Sequence, residues 1–122
     1  MAKQKQKEEE IHQVAFTRWF RLQYPKYKDL MTLGSFGENV GSWRMGRLKQ
    51  MGLTTGYPDL VFYIPRSLKH GLFIEMKSKI GQVRANQKAV HALLEEMNYS
   101  VKVARSWDEA KIYVKEYLHE PS

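Results

Sequence analysis

The chain has 122 residues, no cysteine and a net charge of +7, from 20 lysines and arginines against 13 acidic residues. A chain of this length fits one domain with a single core, and the lack of cysteine excludes disulfides, zinc–thiolate sites and cysteine nucleophiles. The positive charge favours a polyanionic partner, because neutralising phosphates releases condensed counterions.

The segment 1–7 is polar and basic, which predicts a flexible N-terminus ahead of a single domain over residues 8–122. The sequence contains no apolar run long enough to span a membrane. Its start also lacks the apolar stretch of a signal peptide. We therefore expect a cytoplasmic protein without a membrane partner.

A first helix is predicted from about Glu8 to Gln23, where the following Tyr24-Pro25 ends the pattern. The apolar spacing predicts that one stripe of this helix faces the core. That stripe comprises Ile11, Val14, Ala15, Arg18 and Leu22, and it is extended by Phe16, Trp19 and Phe20.

The same helix carries glutamates in its first predicted turn. Glu9 and Gln13 lie in a row with Phe16 and Phe20, which would turn both polar side chains towards the interior. Glutamates at this position commonly only complement the helix dipole. Because the start of the helix is uncertain by a turn, Glu10 stays open as an alternative to Glu9.

The remaining elements alternate between strands and helices. The first half is expected to hold a strand at 30–33, a glycine-rich loop at 34–41, a basic helix at 43–51 and strands at 60–64 and 72–77. The second half is expected to hold a helix from 83 or 84 to 97, a strand at 101–104 and a last helix opened by a capping box at 106–109. The helix before the last strand has an expected core stripe of Val90, Leu93, Leu94 and Met97. This order predicts an α/β fold, with a small mixed central sheet flanked by helices.

Two short motifs lie at neighbouring ends of the central strands. Pro58-Asp59 opens one strand, and Glu75-Met76-Lys77 ends the next. Side chains alternate along a strand, so Glu75 and Lys77 share a face, roughly 6–7 Å apart. Two carboxylates can hold a hard divalent cation, and a neighbouring ammonium can orient or activate water. Charged residues at strand ends more often only mark the solvent border.

For other polar residues the sequence indicates a functional role less clearly. Gln87 lies on the inward stripe of its helix, where a functional role and a structural hydrogen bond are equally plausible. His12 and His91 are expected on helix surfaces. The short basic helix is expected to contact phosphates through Arg44, Arg47 and Lys49.

With these motifs placed, the chain resembles the VRR-NUC family of the PD-(D/E)xK nuclease superfamily, over almost its whole length from Glu9 to about Leu118. Several motifs in the same order carry the resemblance. They are Glu9-x-x-x-Gln13, Gly46–Leu60, Gly71–Lys77, Gly81–Gln87, Asn98-Tyr99-x-Val101 and Trp107-Asp108-x-Ala110.

The resemblance implies a restriction-endonuclease-like core and a Mg²⁺- or Mn²⁺-dependent endonuclease. It implies a homodimer that acts on branched DNA such as Holliday junctions, in a bacterial or phage-infected cell. Asp59, Glu75 and the backbone carbonyl of Met76 would bind the metal, and Lys77 would position or deprotonate the attacking water. Glu9 (or Glu10) would complete the metal shell, with Gln13 and Gln87 supporting the site.

Three other functions stay open at this point. The first is a DNA-binding module that kept the fold without cutting, which the intact Asp59, Glu75 and Lys77 argue against. A sequence-specific nuclease is disfavoured because 122 residues leave little room for a recognition domain. A nuclease with little preference for DNA shape is the remaining alternative. For the dimer interface, Tyr113, Val114 and Tyr117 or the surroundings of Trp43 are the expected candidates.

Overall fold

The structure is a computed structural model that describes residues 2–35 and 40–119. Residues 36–39 of the predicted glycine-rich loop lie outside the described residues. The described residues form the α-helices α1 (Ala2–Gln23), α2 (Ser42–Gln50), α3 (Ala85–Glu96) and α4 (Trp107–Leu118). They also form the strands β1 (Met31–Leu33), β2 (Leu60–Phe62), β3 (Leu72–Met76) and β4 (Ser100–Ala104). The predicted order of helices and strands is therefore confirmed, with an added 3₁₀ helix at Pro25–Leu30.

Helix α1 begins at Ala2, six residues before the predicted start at Glu8. The segment 1–7, predicted as a flexible N-terminus, is thus helical from residue 2 onwards. It consists of alanine, lysine, glutamine and methionine, which all have high helix propensity. Within the described residues, no helix is long and apolar enough to cross a membrane.

The sheet is mixed, with the strand order β1-β2-β3-β4. β1 pairs antiparallel with β2, and β2 pairs antiparallel with β3. β3 and β4 are parallel, with Glu75 beside Val103, and α3 forms the crossover between them. Because β2 and β3 form a hairpin, the start of β2 and the end of β3 lie at the same edge of the sheet.

The core lies between the sheet and the pair α1 and α4. Phe16 and Phe20 of α1 are fully buried against sheet residues such as Phe62 and against Val114 of α4. Leu72 and Ile74 belong to the same cluster, so the alternate residues of β3, Phe73 and Glu75, face the other side. That side is covered by α3, whose His91 contacts Glu75. The sheet is flanked by helices on both faces, as predicted.

The predicted buried stripe of α1 is wrong in part. Ile11, Val14 and Leu22 are 66%, 56% and 76% exposed, whereas Phe16 and Phe20 are buried. The helix has two apolar stripes, and the large aromatic rings occupy the core because they bury more surface per residue.

The predicted core stripe of α3 also needs correction. Val90 is buried, but Leu93 and Met97 are exposed. The buried face instead comprises Gln87, Val90 and His91. The helix is rotated so that two polar side chains face the sheet, which requires polar partners for them there.

Candidate active site

Asp59 is held at the edge of the sheet by hydrogen bonds from two other segments. Its Oδ2 accepts a hydrogen bond from the backbone N–H of Met76 at 2.7 Å, and its Oδ1 accepts one from Ser35 Oγ at 3.2 Å. The backbone of Asp59 also accepts a hydrogen bond from Gly34 N–H at 2.8 Å. These contacts join the start of β2 to the end of β3 and to the segment after β1, so the carboxylate has a fixed position.

Two glycines allow the surrounding backbone to approach Asp59 closely. A Cβ on Gly34 would lie 2.3 Å from the carbonyl oxygen of Pro58. Gly56 has a φ of +99°, and a Cβ there would lie 2.7 Å from the carbonyl oxygen of Asn86. Neither position has space for a side chain, and Gly56 also needs the left-handed conformation. These glycines bring the segment after β1 and the start of α3 against the Pro58-Asp59 motif.

Glu75 is the central buried charged residue, with only 2% of its surface exposed. Burial, the negative charge of Asp59 and a hydrogen bond with it, in this order of size, raise the pKa of its carboxyl to about 8. The ammonium of Lys77 and the guanidinium of Arg84 act in the opposite direction. The structure therefore brings Asp59 and Glu75 together from neighbouring strands, where they repel each other when both are ionised.

His91 makes a contact that the sequence did not predict. It is only 8% exposed, and its Nε2 lies 3.4 Å from Oε1 of Glu75. The expectation of a surface position is wrong for His91, whereas His12 is exposed as expected. Burial lowers the pKa of the imidazole and favours its neutral form. The available signal was its spacing, since His91 lies four residues after Gln87 on the same face of α3.

Gln87 is buried, and its hydrogen bond accounts for this. Its Oε1 accepts a hydrogen bond from the backbone N–H of Arg84 at 2.9 Å, which caps the start of α3. Gln87 and Asp59 also line one cavity of about 520 Å³, together with Ser35, Met45, Leu53, Thr54, Thr55, Gly56, Tyr57, Arg84 and Asn86. A structural role for Gln87 is thus present, and its side chain also reaches the space next to Asp59.

Lys77 extends the path of β3 beyond its last assigned residue. Its backbone N–H donates a hydrogen bond to the carbonyl of Ala104 at 2.9 Å. Its ammonium is close enough to lower the pKa of Glu75. Asp59, Glu75 and Lys77 therefore lie at one edge of the sheet, as the two motifs predict. The part of Met76 observed here is its N–H on Asp59, and the role of its carbonyl stays a prediction.

The carboxylates of α1 are not grouped with those of Asp59 and Glu75. Glu9 and Glu10 are exposed, and Glu10 and Gln13 line a groove along α1. Within residues 2–35 and 40–119, no three acidic, histidine or cysteine side chains are grouped closely enough to hold a metal ion. The role of Glu9 (or Glu10) and of Gln13 at the site stays a prediction.

The basic helix α2 borders the cavity through Met45, which lines it. Arg44, Arg47 and Lys49 are exposed on this helix, and Nη1 of Arg47 donates a hydrogen bond to Gln50 Oε1 at 3.1 Å. A ligand that enters the cavity beside Asp59 would therefore pass near positive charge.

A mixed sheet flanked by helices, with paired carboxylates and a lysine at one edge, defines an α/β nuclease core. The family model of the VRR-NUC domain matches residues 6–108, so the chain belongs to the VRR-NUC family of nucleases, whose domains bind DNA. A solved structure described as a "VRR_NUC domain protein" is similar, with 25% sequence identity and a TM-score of 0.80. The match covers 93% of this chain and 89% of that one. No curated protein matches the chain. The predicted family is thereby confirmed.

Proposed function

We propose that the protein is a Mg²⁺- or Mn²⁺-dependent endonuclease that hydrolyses phosphodiester bonds in DNA. The observation that supports this most directly is the pairing of Asp59 with the buried Glu75. A buried carboxylate with a raised pKa beside a second carboxylate destabilises the protein unless a cation or proton neutralises it.

The residues at this edge fit a hard divalent cation. Mg²⁺ is commonly bound through one or two carboxylates while it keeps several waters, and Asp59 and Glu75 supply two carboxylates. The carbonyl of Met76 and a glutamate of α1, Glu9 or Glu10, are the further ligands in this proposal. When bound, the cation would act as a Lewis acid on the phosphate and lower the pKa of water.

The other side chains have separate tasks in this proposal. The ammonium of Lys77 would orient the attacking water, take part in its deprotonation and stabilise developing negative charge. Gln87, on the wall of the cavity, would hydrogen-bond the bound DNA or water while it caps α3. Gln13 would support the site from α1. Ser35 holds the Asp59 carboxylate in position through its hydroxyl.

Branched DNA such as a Holliday junction is the proposed substrate, and a homodimer is the proposed active form. One domain with one such site makes one cut, and a twofold dimer would make two symmetric cuts in a four-way junction. A chain of 122 residues has little material for reading base sequence, so shape is the proposed basis of selection. The cytoplasm of a bacterial or phage-infected cell is the proposed location.

Cleavage assays on labelled linear, flapped and four-way DNA test this function. We expect cutting only with Mg²⁺ or Mn²⁺, and faster cutting of the four-way substrate. Asp59→Asn keeps the side-chain size. Its amide oxygen can still accept from the N–H of Met76, and its NH₂ group can donate to Ser35 Oγ, so the variant should retain fold and DNA binding while losing cleavage. Wild-type cutting by this variant would contradict the site. Equal cutting of all substrates would leave a nuclease without shape preference, and binding without cutting would leave a DNA-binding module.

Helix α2 is predicted to contact phosphates through its exposed basic face. The triple change of Arg44, Arg47 and Lys49 to alanine should weaken binding to all DNA shapes. The slope of log affinity against log salt should flatten by about one unit per lost contact. Lys3, Lys5 and Lys28, all exposed and outside α2, are changed together as the matched control of equal charge. An unchanged slope in the α2 variant would place the DNA elsewhere.

A further inference from the structure

Helix α1 has an apolar stripe that is largely exposed in the described part of the chain. Ile11, Val14 and Leu22 are more than half exposed, and so is the neighbouring Leu33 of β1. Along the helix Ile11 and Val14 are three residues apart and Leu22 follows eight residues after Val14, so the three side chains share one face, as in a helix that packs against another helix. The opposite face, with Phe16 and Phe20, is already packed in the core. The exposed stripe therefore has the pattern of a second packing face.

The stripe forms a ridge between two shallow grooves. One groove, of about 620 Å³, is lined by residues that include Val14, Leu22 and Leu33. The other, of about 470 Å³, is lined by residues that include Ile11 and Val14. Three residues lie in both linings, Glu10, Val14 and Arg18, and Val14 is the apolar one midway between the other two, so it is the centre of the ridge. A ridge between grooves is the shape that another helix contacts with its own side chains.

Other candidate surfaces are weaker. Val114 and Tyr117, expected at an interface, are instead buried in the core of the same chain. Leu68 and Ile80 are exposed, but both lie in connecting segments. Trp43 is exposed on α2, whose other exposed residues are largely basic. In the described part of the chain, α1 thus presents the longest apolar stripe.

The charged residues beside the stripe indicate which molecule would pack against it. Glu10 and Arg18 line both grooves, four residues before and four residues after Val14. Each is therefore about 6 Å along the helix axis from Val14, in opposite directions. If two α1 helices pack antiparallel about a twofold axis at Val14, Glu10 of each protomer lies opposite Arg18 of the partner subunit. The charges next to the axis are therefore complementary, whereas Lys7 and Arg21, which also line the grooves, would face each other with like charge further from the axis.

We propose that α1 packs antiparallel against α1 of a second copy, with Val14 at the twofold axis. This inference rests on the proposed homodimer and names its interface. Leu33 pairs with Leu60, the residue after Asp59, so the interface would adjoin the edge of the sheet that carries the site. The two sites would then lie close to the symmetry axis and would meet a single DNA molecule from related directions.

Analytical ultracentrifugation without DNA tests the interface independently of cleavage. The wild type should be a dimer, and Val14→Asp should weaken dimerisation at least about tenfold, because two carboxylates would face each other at the axis. Ile80→Asp adds the same charge at an exposed position away from α1 and should leave the dimer unchanged. A monomeric wild type, or a Val14→Asp variant that dimerises normally, would overturn the proposal.

A charge exchange tests the antiparallel register. Glu10→Arg and Arg18→Glu should each weaken the dimer, and the double variant should restore it to within a few-fold of wild type. Circular dichroism establishes whether each variant is folded, and restoration in the double variant excludes misfolding as the cause. No restoration would overturn the pairing at Val14. Cleavage is not a readout for these variants, because Glu10 is also a candidate metal ligand. Absence of DNA cleavage by the dimeric wild type would contradict the proposed function and leave the interface standing.

Discussion

Replacing Glu75 with glutamine is expected to abolish cleavage and to stabilise the metal-free protein at the same time. The variant loses a carboxylate that the proposed cation requires. It also removes the cost of an ionised carboxyl that is 2% exposed and close to Asp59. Above pH 8 we expect the melting temperature to rise by roughly 3–8 °C, from a stability gain of about 1 kcal/mol after allowance for solvent screening.

The pH dependence of this gain follows from the pKa values. The carboxyl of Glu75 loses its proton near the ordinary value of 4.5 in the unfolded chain, but only at about 8 in the folded protein. Between these values the folded state binds more protons, so the stability of the wild type falls as the pH rises. The difference between variant and wild type should therefore be small below pH 4.5, grow up to pH 8 and then level off.

Thermal unfolding from pH 4 to 9 measures both effects. Glu96→Gln makes the same chemical change at an exposed position of α3 and should not alter the melting temperature by more than about 1 °C. Mn²⁺ should raise the melting temperature of the wild type and have no effect on Glu75→Gln. A variant that is less stable than the wild type at pH 8.5 without metal would contradict the destabilising role of Glu75.

Lys77→Ala should reduce the rate of cleavage by about 10²- to 10⁴-fold, the usual contribution of proton transfer by a positioned group. Metal binding should persist, because the ammonium is not a ligand in the proposed site. The ammonium of Lys77 also lowers the pKa of Glu75, so its loss would raise that pKa. Metal binding by Lys77→Ala and by the wild type should therefore be compared above pH 8.5, where metal binding competes less with protonation.

Isothermal titration with Mn²⁺ and single-turnover cleavage separate these roles of Lys77. Lys79→Ala removes the same charge two residues further along the chain, where the side chain is exposed, and should cut at nearly the wild-type rate. If Lys77→Ala loses metal affinity at pH 8.5 while its fold is intact, Lys77 organises the site instead of assisting the water. Cutting at the wild-type rate would exclude both roles.

The sequence was sufficient to predict the edge of the sheet that carries the carboxylates. Alternation along β3 puts Glu75 and Lys77 on one face, and a hairpin returns that face to Asp59. These are local rules, and the observed pairing of Leu60 with Ile74 follows them. The hydrogen bonds from Ser35 and Met76 to Asp59 were not predictable, because they depend on how three separate segments meet.

It was less predictable which face of each helix is buried, because several faces of one helix compete for a place in the core. Helix α1 has two apolar stripes, and only the finished core selects Phe16 and Phe20 over Ile11 and Val14. Helix α3 turns Gln87 and His91 inwards, since Glu75 and the start of the helix provide hydrogen-bonding partners. A periodicity of apolar residues cannot detect such polar partners, and this is why His91 was expected at the surface.

The connection between β2 and β3 provides a position for a fluorescent label. It lies at the end of the hairpin away from Asp59, and its base is anchored by Arg66, whose Nη2 donates a hydrogen bond to the hydroxyl of Tyr27 at 2.8 Å. Leu68 at its tip is 94% exposed. Since the chain has no cysteine, Leu68→Cys would give a single thiol for a fluorescent dye. Energy transfer between such dyes would report how two protomers are arranged on DNA without altering α1 or the site.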